Sequence, residues 1–118
     1  MGNVRRAIVC GGRDTLDTDK LRTTLRATLE LYDVGEVIHG GAPGADTIAG
    51  DVARDMGLFV REVQADWHLH GKAAGPIRNR KMLNMDPDIV ISLPGGRGTM
   101  NMRRQAGLSG VAVVVIGD

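Results

Sequence analysis

The chain has 118 residues, and its 15 Lys and Arg against 14 Asp and Glu give a formal net charge of +1. This length fits one domain and is too short for two. The balanced charge argues against a broad basic face for duplex DNA, but it is compatible with a local anion pocket. The single cysteine, Cys10, excludes an intrachain disulfide and is typical of a reducing cytoplasm.

Nothing in the sequence predicts a membrane partner. The basic N-terminal segment is followed by a short apolar run, Ala7–Cys10, which is too short for a signal peptide. No stretch approaches the roughly 20 apolar residues of a transmembrane helix. We therefore expect a cytoplasmic protein.

Short apolar runs alternate with amphipathic segments along the chain. The predicted strands are Val4–Cys10, Glu36–His39, Leu58–Val63, Asp88–Leu93 and Val111–Ile116. The first predicted helix carries Leu21, Leu25, Leu29 and Tyr32, has Thr15, Asp17 and Thr18 as candidate caps, and ends near Asp33–Gly35. The other predicted helices are Ala45–Gly57, Pro76–Asn84 and Thr99–Leu108, with a loop at Ala65–Gly75.

This alternation predicts a single α/β domain over residues 1–118. Strands that alternate with helices form a mostly parallel sheet, here of five strands, with helices on both faces in three layers. The Val-rich last strand is typical of a strand buried on both faces.

Three of the predicted strands end in glycine-rich loops, and a helix follows each loop. Loop 1 is residues 11–14, loop 2 is residues 40–46 and loop 3 is residues 94–99. The carboxyl ends of parallel strands share one edge of the sheet, where ligands bind at the switch in strand order. We therefore expect the three loops to meet at one site.

The residue types in these loops are typical of phosphate recognition. Glycine lets the backbone approach an oxyanion closely, and the start of a helix favours negative charge. Arg13 and Arg97 add guanidinium donors and Thr99 adds a hydroxyl. Asp14 and Asp46 would repel a phosphate, so we expect them to cap helices, bracket loop N–H groups or accept from ribose hydroxyls. The alternative is that the glycines only form tight turns.

A fourth candidate region lies between Ala65 and Arg80. Trp67 could stack on a base or, alternatively, plug the edge of the core. Arg78 and Asn79 open the predicted Pro76–Asn84 helix, where they could contact a second anion or simply be solvated. Neither a Walker loop nor a complete G-x-G-x-x-G fingerprint is present.

The remaining polar and sulfur-containing residues have structural interpretations. Asp66, His68 and His70 are too loosely spaced and unsupported to predict a metal site. We expect His39 to be a packed, hydrogen-bonded residue and Cys10 to be buried. The methionines Met82, Met85, Met100 and Met102 fit a core or a subunit interface.

Taken in order along the chain, these motifs resemble the YspA/cpYpsA-related branch of the SLOG superfamily. Loop 2 is similar to the loop of DprA, and loop 3 is similar to the loop of the LOG phosphoribohydrolases. The resemblance implies a Rossmann-like domain, a nucleotide ligand with no further cofactor required, and a homo-oligomer. The predicted ligand-binding residues are Gly11, Gly12, Arg13, Asp14, Gly40, Gly41, Ala42, Gly44, Ala45, Asp46, Asp66, Trp67, Arg78, Asn79, Pro94, Gly95, Gly96, Arg97, Gly98 and Thr99.

The chain departs from LOG enzymes directly after loop 3. Those enzymes continue with acidic residues, one of them catalytic, whereas this chain has Met100, Asn101 and Met102. A carboxylate that could activate water is therefore absent there. The sequence identifies no catalytic residue, although Asp14, Asp46 or Asp66 could supply a carboxylate from elsewhere.

Three functions are compatible with the sequence. The favoured one is a sensor or sequestering protein for a nucleotide or nucleotide-derived signal, in phage–bacterium defence signalling. One alternative is a LOG-type nucleotide N-glycosidic hydrolase, which the missing acidic residue disfavours. The other is a DprA-like binder of single-stranded nucleic acid, which the balanced charge and the single Trp disfavour.

Overall fold

The computed structural model describes residues 4–117 and contains a sheet of five parallel strands with helices between them. The strands are β1 (Arg5–Cys10), β2 (Val34–His39), β3 (Phe59–Glu62), β4 (Ile89–Ser92) and β5 (Ala112–Val115). The helices are α1 (Asp19–Leu31), α2 (Ala45–Asp55), α3 (Trp67–His70), α4 (Ala74–Leu83) and α5 (Arg97–Leu108).

The strand order is β3-β2-β1-β4-β5, and every neighbouring pair is parallel. The chain begins in the centre, extends through β2 to β3, and then crosses back to place β4 on the other side of β1. The order therefore switches direction between β1 and β4, which is where open α/β sheets bind their ligands.

Helices cover both faces of the sheet, as the sequence predicted. Side chains alternate across a strand, so Ala7 and Val9 of β1 pack into one core with α1 and α2. Ile8 and Cys10 pack on the opposite face into a second core with α4 and α5. The predicted three-layer, Rossmann-like α/β sandwich is confirmed.

The helix starts differ in how their N–H groups are satisfied. Thr18, one of three predicted candidates, caps α1 by accepting a hydrogen bond from the Leu21 N–H at 3.1 Å. By contrast, α2 and α5 follow Gly44 and Gly96, neither of which has a side chain to cap them. The first-turn N–H groups of these two helices therefore depend on other partners.

The predicted loop at Ala65–Gly75 contains a helical turn. The Asp66 carboxylate accepts from the Leu69 N–H at 3.0 Å and so caps α3. The next helix, α4, begins at Ala74 rather than at Pro76. Pro76 is its third residue, where an N–H would lack a helical partner in any case.

The prediction that the last strand is buried on both faces is wrong. Val115 is 43% exposed and Ala112 is exposed, while Val113 and Val114 are half-buried. The reason is position, because β5 pairs only with β4 at the edge of the sheet. Valine content shows that a segment suits a strand, but it does not distinguish a central strand from an edge strand.

None of the helices between residues 4 and 117 has the length and apolarity to cross a membrane. The predicted domain, 1–118, also includes residues 1–3 and 118, which lie outside the described range.

Candidate functional site

A cleft of about 590 Å³ opens at the carboxyl ends of β1 and β4, where the strand order switches. All three glycine-rich loops contribute to its wall, together with Trp67 and the first two turns of α4. Of the predicted ligand-binding residues, those that line it are Gly11, Gly12, Arg13, Asp14, Gly40, Ala42, Asp46, Trp67, Arg78, Asn79, Pro94, Gly95, Gly96, Arg97, Gly98 and Thr99.

Loops 1 and 3 are in direct contact at the base of the cleft. The Gly12 N–H donates to the Pro94 carbonyl at 2.7 Å. The Thr15 hydroxyl lies 2.8 Å from the Pro94 oxygen and 2.9 Å from the Gly12 oxygen, and so joins both loops. A Cβ on Gly95 would lie 2.7 Å from the Gly12 nitrogen, so glycine is required for this close approach.

Loop 2 uses its backbone N–H groups internally. The Gly41 N–H donates to Nδ1 of His39 at 3.0 Å, and the Ala42 N–H donates to Oδ2 of Asp46 at 3.1 Å. Asp46 therefore brackets a loop N–H group, which is one of the roles that the sequence predicted for it. These two N–H groups are consequently occupied and do not offer hydrogen bonds to a ligand in the cleft.

Three predicted residues of loop 2 shape the loop and do not line the cleft. A Cβ on Gly41 would lie 2.7 Å from Cδ of Glu62. Gly44 has φ of 75° and packs its Cα side against loop 1, where a Cβ would lie 2.5 Å from the Gly12 oxygen. The Ala45 N–H donates to that same oxygen at 3.0 Å. They do not line the cleft, and their contacts pack loop 2 against its neighbours; that they bind the ligand stays a prediction.

Asp66 also stays outside the cleft, because its carboxylate caps α3. Trp67, the next residue, does line the cleft and is 49% exposed, so it does not plug the core. The Arg13 guanidinium lies over its indole ring, 5.8 Å from the centroid, at a distance typical of a cation–π contact. Trp67 and Arg13 thus form an aromatic and cationic wall.

Arg78 is a half-buried cation that lines the cleft. Its Nη1 donates to the Gly40 carbonyl at 3.1 Å, and its Nε lies 3.3 Å from Oδ1 of Asn79. Burial lowers the pKa of Arg78, and the nearby Asp46 carboxylate counteracts this effect. Within residues 4–117, no carboxylate forms an ion pair with Arg78.

Asn79 is buried and holds loop 3 in place. Its amide nitrogen donates to the Gly98 carbonyl at 3.2 Å and to Oδ1 of Asn101 at 3.0 Å. The same Asn101 oxygen accepts from Nε2 of Gln105 at 2.7 Å. Asn79 thus links α4 to α5 and orients the loop that precedes it.

The three residues after loop 3 lie in different environments. Met100 is exposed, Asn101 belongs to the amide network, and Met102 is fully buried in the core beneath α5. Met102 therefore fulfils the predicted core role of the methionines. None of the three side chains presents a carboxylate to the cleft.

Burial dominates the electrostatics of the cleft. It raises the pKa of Asp46, although the Ala42 N–H, His39 and Arg78 each stabilise the ionised carboxylate. Burial also raises the pKa of the Cys10 thiol to about 11, so this cleft-lining cysteine is a poor nucleophile at neutral pH.

Sequence analysis missed several residues of the cleft wall. These are Val9, Cys10, Thr15, Gly75 and Met82. Cys10 and Thr15 directly flank loop 1, so extending the loop by one residue on either side would have found them. Val9, Gly75 and Met82 carried no chemical signal, because small and apolar residues line clefts only through their position.

The described residues contain no group of three or more His, Cys, Asp or Glu side chains placed to hold a metal ion. His68 and His70 lie on α3, whose N-terminal cap is Asp66.

Comparisons with known proteins agree with this architecture. A sequence model of the YspA, cpYpsA-related SLOG family matches residues 5–70, which include loops 1 and 2 and Trp67. The chain is also 37% identical over 123 aligned residues to the Gene 61 protein of Mycobacterium phage D29. That alignment covers 98% of each chain, so it extends through Arg78 and loop 3. The chain therefore belongs to the YspA/cpYpsA-related SLOG family.

Proposed function

We propose that the cleft binds a nucleotide or a nucleotide-derived signalling molecule, and that the protein acts as a sensor or a sequestering protein. Family membership supports a nucleotide-related function at the level of the fold. The phage origin of a relative is the reason why we place this role between phage and bacterium, and the name of that relative specifies no function. The observation that carries the proposal is the half-buried guanidinium of Arg78 at the cleft wall, which forms no ion pair within residues 4–117.

A half-buried cation without a carboxylate partner favours an anionic ligand. Removing a charge from water is costly unless an opposite charge or several hydrogen bonds compensate it. Arg78 has one carbonyl and one amide oxygen as partners, which it contacts through Nη1 and Nε. Its Nη2 has no hydrogen-bond partner among residues 4–117, and an arginine fork suits phosphate geometry.

Three further features extend an anion site toward a nucleotide site. Arg13 and Arg97 are exposed on the cleft wall and add positive charge around Arg78. The start of α5 carries no side-chain cap, and such N–H groups bind phosphate readily. On the loop 1 side, Trp67 offers an aromatic surface on which a base could stack.

The cleft also has an appropriate size. Its volume of about 590 Å³ lies within the range of roughly 300–1,000 Å³ found for small-molecule sites. Because Met100, Asn101 and Met102 directly follow loop 3 in place of acidic residues, the proposal is binding without hydrolysis.

The test is calorimetric titration with a panel of nucleoside mono-, di- and triphosphates, dinucleotides and cyclic nucleotides. Arg78→Gln should weaken binding of the nucleotide with the highest affinity in the panel by about tenfold or more, since a charged hydrogen bond contributes about 1.5–3 kcal/mol. Arg104→Gln is the matched control, because Arg104 is exposed on α5 and does not line the cleft. It should change the affinity less than twofold.

Incubating the protein with the nucleotide, removing the protein and analysing the remaining solution distinguishes binding from turnover. Intact nucleotide after prolonged incubation supports the proposal, whereas free base with ribose phosphate contradicts it and favours a hydrolase. Retention of oligonucleotides in preference to every mononucleotide would instead favour a nucleic-acid binder. Equal affinities for wild type and Arg78→Gln would remove the observation on which the proposal rests.

A further inference from the structure

His39 is a buried, titratable residue directly behind the cleft. It ends β2, is only 3% exposed, and accepts a hydrogen bond from the Gly41 N–H at Nδ1. An N–H donor at Nδ1 requires a lone pair there, so we assign the proton of the neutral imidazole to Nε2. Nε2 has no hydrogen-bond partner within residues 4–117, so the predicted hydrogen-bonded histidine is satisfied at one nitrogen only.

His39 and Arg78 form hydrogen bonds with two adjacent residues, His39 with the Gly41 N–H and Arg78 with the Gly40 carbonyl. The Gly40 carbonyl accepts from Arg78 Nη1 at 3.1 Å, and it belongs to the same peptide group as the Gly41 N–H. His39 and Arg78 therefore hold the two polar ends of one peptide plane. A change at the N–H end must move the carbonyl end as well, because the peptide group is rigid.

We propose that neutral His39 is a positioning residue that fixes this peptide plane, and that protonation of His39 weakens anion binding at Arg78. This inference rests on the proposed function, and it adds regulation by pH to the same cleft. His39 does not line the cleft, so it acts through Gly40 and Gly41.

Protonation would remove the acceptor that the Gly41 N–H has among residues 4–117. Both nitrogens of an imidazolium are donors, so Nδ1–H would face N–H and the hydrogen bond would be lost. The peptide group would then rotate or shift, and the Gly40 carbonyl would no longer hold Arg78 in place. Adjustment is possible because Gly41, with φ of 74°, has no side chain to restrict it.

The groups around His39 act on its pKa in opposite directions. Burial lowers the pKa and is the largest effect, and Arg54 on α2 lowers it further. Asp46 on α2 and Glu62 on β3 raise it. A small cavity of about 140 Å³ lies beside the imidazole, and its lining includes these three residues and Asp51 of α2.

This cavity does not suit a metal ion, because Nε2 carries a hydrogen when Nδ1 accepts from Gly41. It leaves space in which the ring and loop 2 can rearrange. On the cleft side, Arg78 is the charged group that responds, since it contacts the same peptide.

The experiment follows the Gly41 amide and anion binding by NMR from pH 7.5 to 4.5. Sulfate is the probe, because its charge is constant over this range. As the imidazole resonances report protonation, we expect the exchange protection of the Gly41 amide to fall. Over the same transition the sulfate affinity of the wild type should decrease about three- to tenfold relative to a variant whose acceptor at position 39 does not titrate, the effect of one lost hydrogen bond.

Two variants test the role of Nδ1. His39→Asn places an amide oxygen near the Nδ1 position and does not titrate, so it should rescue binding. Its sulfate affinity should stay level or rise as the pH falls, since burial raises the pKa of Asp46 and its charge near Arg78 is then lost. His39→Leu has no acceptor and should bind weakly at every pH.

The outcomes distinguish the coupling between His39 and Arg78 from anion binding in the cleft. A wild-type affinity that changes with pH in the same way as that of His39→Asn overturns the proposal, because the carboxylates near the cleft are the same in both proteins. If the exchange protection of the Gly41 amide does not change when His39 ionises, the coupling is contradicted but the anion site is not. Absence of sulfate-induced shifts at every pH contradicts the anion site, and the coupling with it.

Discussion

Loops 2 and 3 are both glycine-rich, and each leads into a helix, yet their glycines serve different purposes. In loop 2, an added Cβ at Gly40, Gly41 or Gly44 would collide with Arg78, Glu62 or the backbone of loop 1. In loop 3, Gly95 also permits a close approach, to Gly12, but an added Cβ at Gly96 or Gly98 would meet nothing within 4 Å. The first set of glycines permits close packing, whereas the second set leaves open space in the cleft wall.

The polar backbone groups of the two loops differ in the same way. The N–H groups of Gly41 and Ala42 are occupied by His39 and Asp46. The start of α5 in loop 3 has no side-chain cap. We therefore propose that loop 2 is a support that holds loop 1 and Arg78, and that loop 3 is the surface that a ligand contacts. A glycine-rich motif thus has to be interpreted by what surrounds each glycine.

Among the variants that test this difference between loops 2 and 3, Gly44→Ala should have the largest effect. Gly44 has φ of 75°, and its new Cβ would press on the Gly12 and Arg13 carbonyls of loop 1. Backbone strain of about 1–3 kcal/mol and a further 1–3 kcal/mol from overpacking should lower the free energy of unfolding. Urea unfolding monitored by circular dichroism measures the loss.

Gly57→Ala is the matched control for this substitution. Gly57 also has φ of 75°, but its Cβ would meet nothing within 4 Å. It should therefore show the conformational cost without the collision. If both variants lose the same free energy of unfolding, the contact between loops 2 and 1 is not what requires glycine at position 44.

The sequence predicted the fold because its signals are local and repeated. Apolar runs such as Ala7–Cys10 alternate with amphipathic helices such as Asp19–Leu31, and this alternation suffices for a parallel sheet. The position of β5 at an edge could not be predicted, since strand order depends on contacts distant in sequence. Boundaries also shifted, as at Ala74, because a helix can begin before a proline.

The candidate site was predicted in outline for a similar reason. Parallel strands bring their carboxyl ends together, so three loops that follow strands had to meet. Orientation within a loop is a different matter, because Asp66 and Trp67 are adjacent, yet one caps α3 and the other lines the cleft. The burial of Arg78 likewise depends on Gly40, which is 38 residues away in the sequence.

Gly98→Ala tests the other half of the comparison. Gly98 is in the first turn of α5, and its Cβ would enter open space within the cleft. Alanine should raise the free energy of unfolding by up to about 1 kcal/mol through helix propensity. A ligand that contacts loop 3 closely should bind about tenfold more weakly, consistent with an overpacking cost of about 1–3 kcal/mol.

Gly107→Ala separates the two effects, because Gly107 lies in the same helix, away from the cleft and in open space. It should stabilise the protein to a similar extent and leave nucleotide affinity unchanged. Unfolding curves and calorimetric titrations give both quantities for each variant. Unchanged nucleotide affinity in Gly98→Ala would show that loop 3 is not the contact surface.

The smallest expected effect is that of Asp46→Asn, which keeps an acceptor for the Ala42 N–H but removes the charge near Arg78. Anion affinity should rise about three- to tenfold, since one charge–charge interaction in this setting contributes on the order of 1 kcal/mol. The pH dependence of stability should change as well. Burial raises the pKa of Asp46 above its ordinary value of 3.8, so the wild type loses unfolding free energy as the pH rises through that folded-state pKa.

The asparagine variant lacks this loss and should be at least as stable as the wild type at pH 7. Asp86→Asn is the control, because Asp86 is exposed and asparagine tolerates its φ of 57°. Unfolding at several pH values, with sulfate titrations at pH 7, measures both effects. A variant that is less stable at pH 7 and binds sulfate no better would show that the Asp46 charge supports loop 2. The carboxylate would then be part of the support rather than a counter-charge that a ligand's phosphate must overcome.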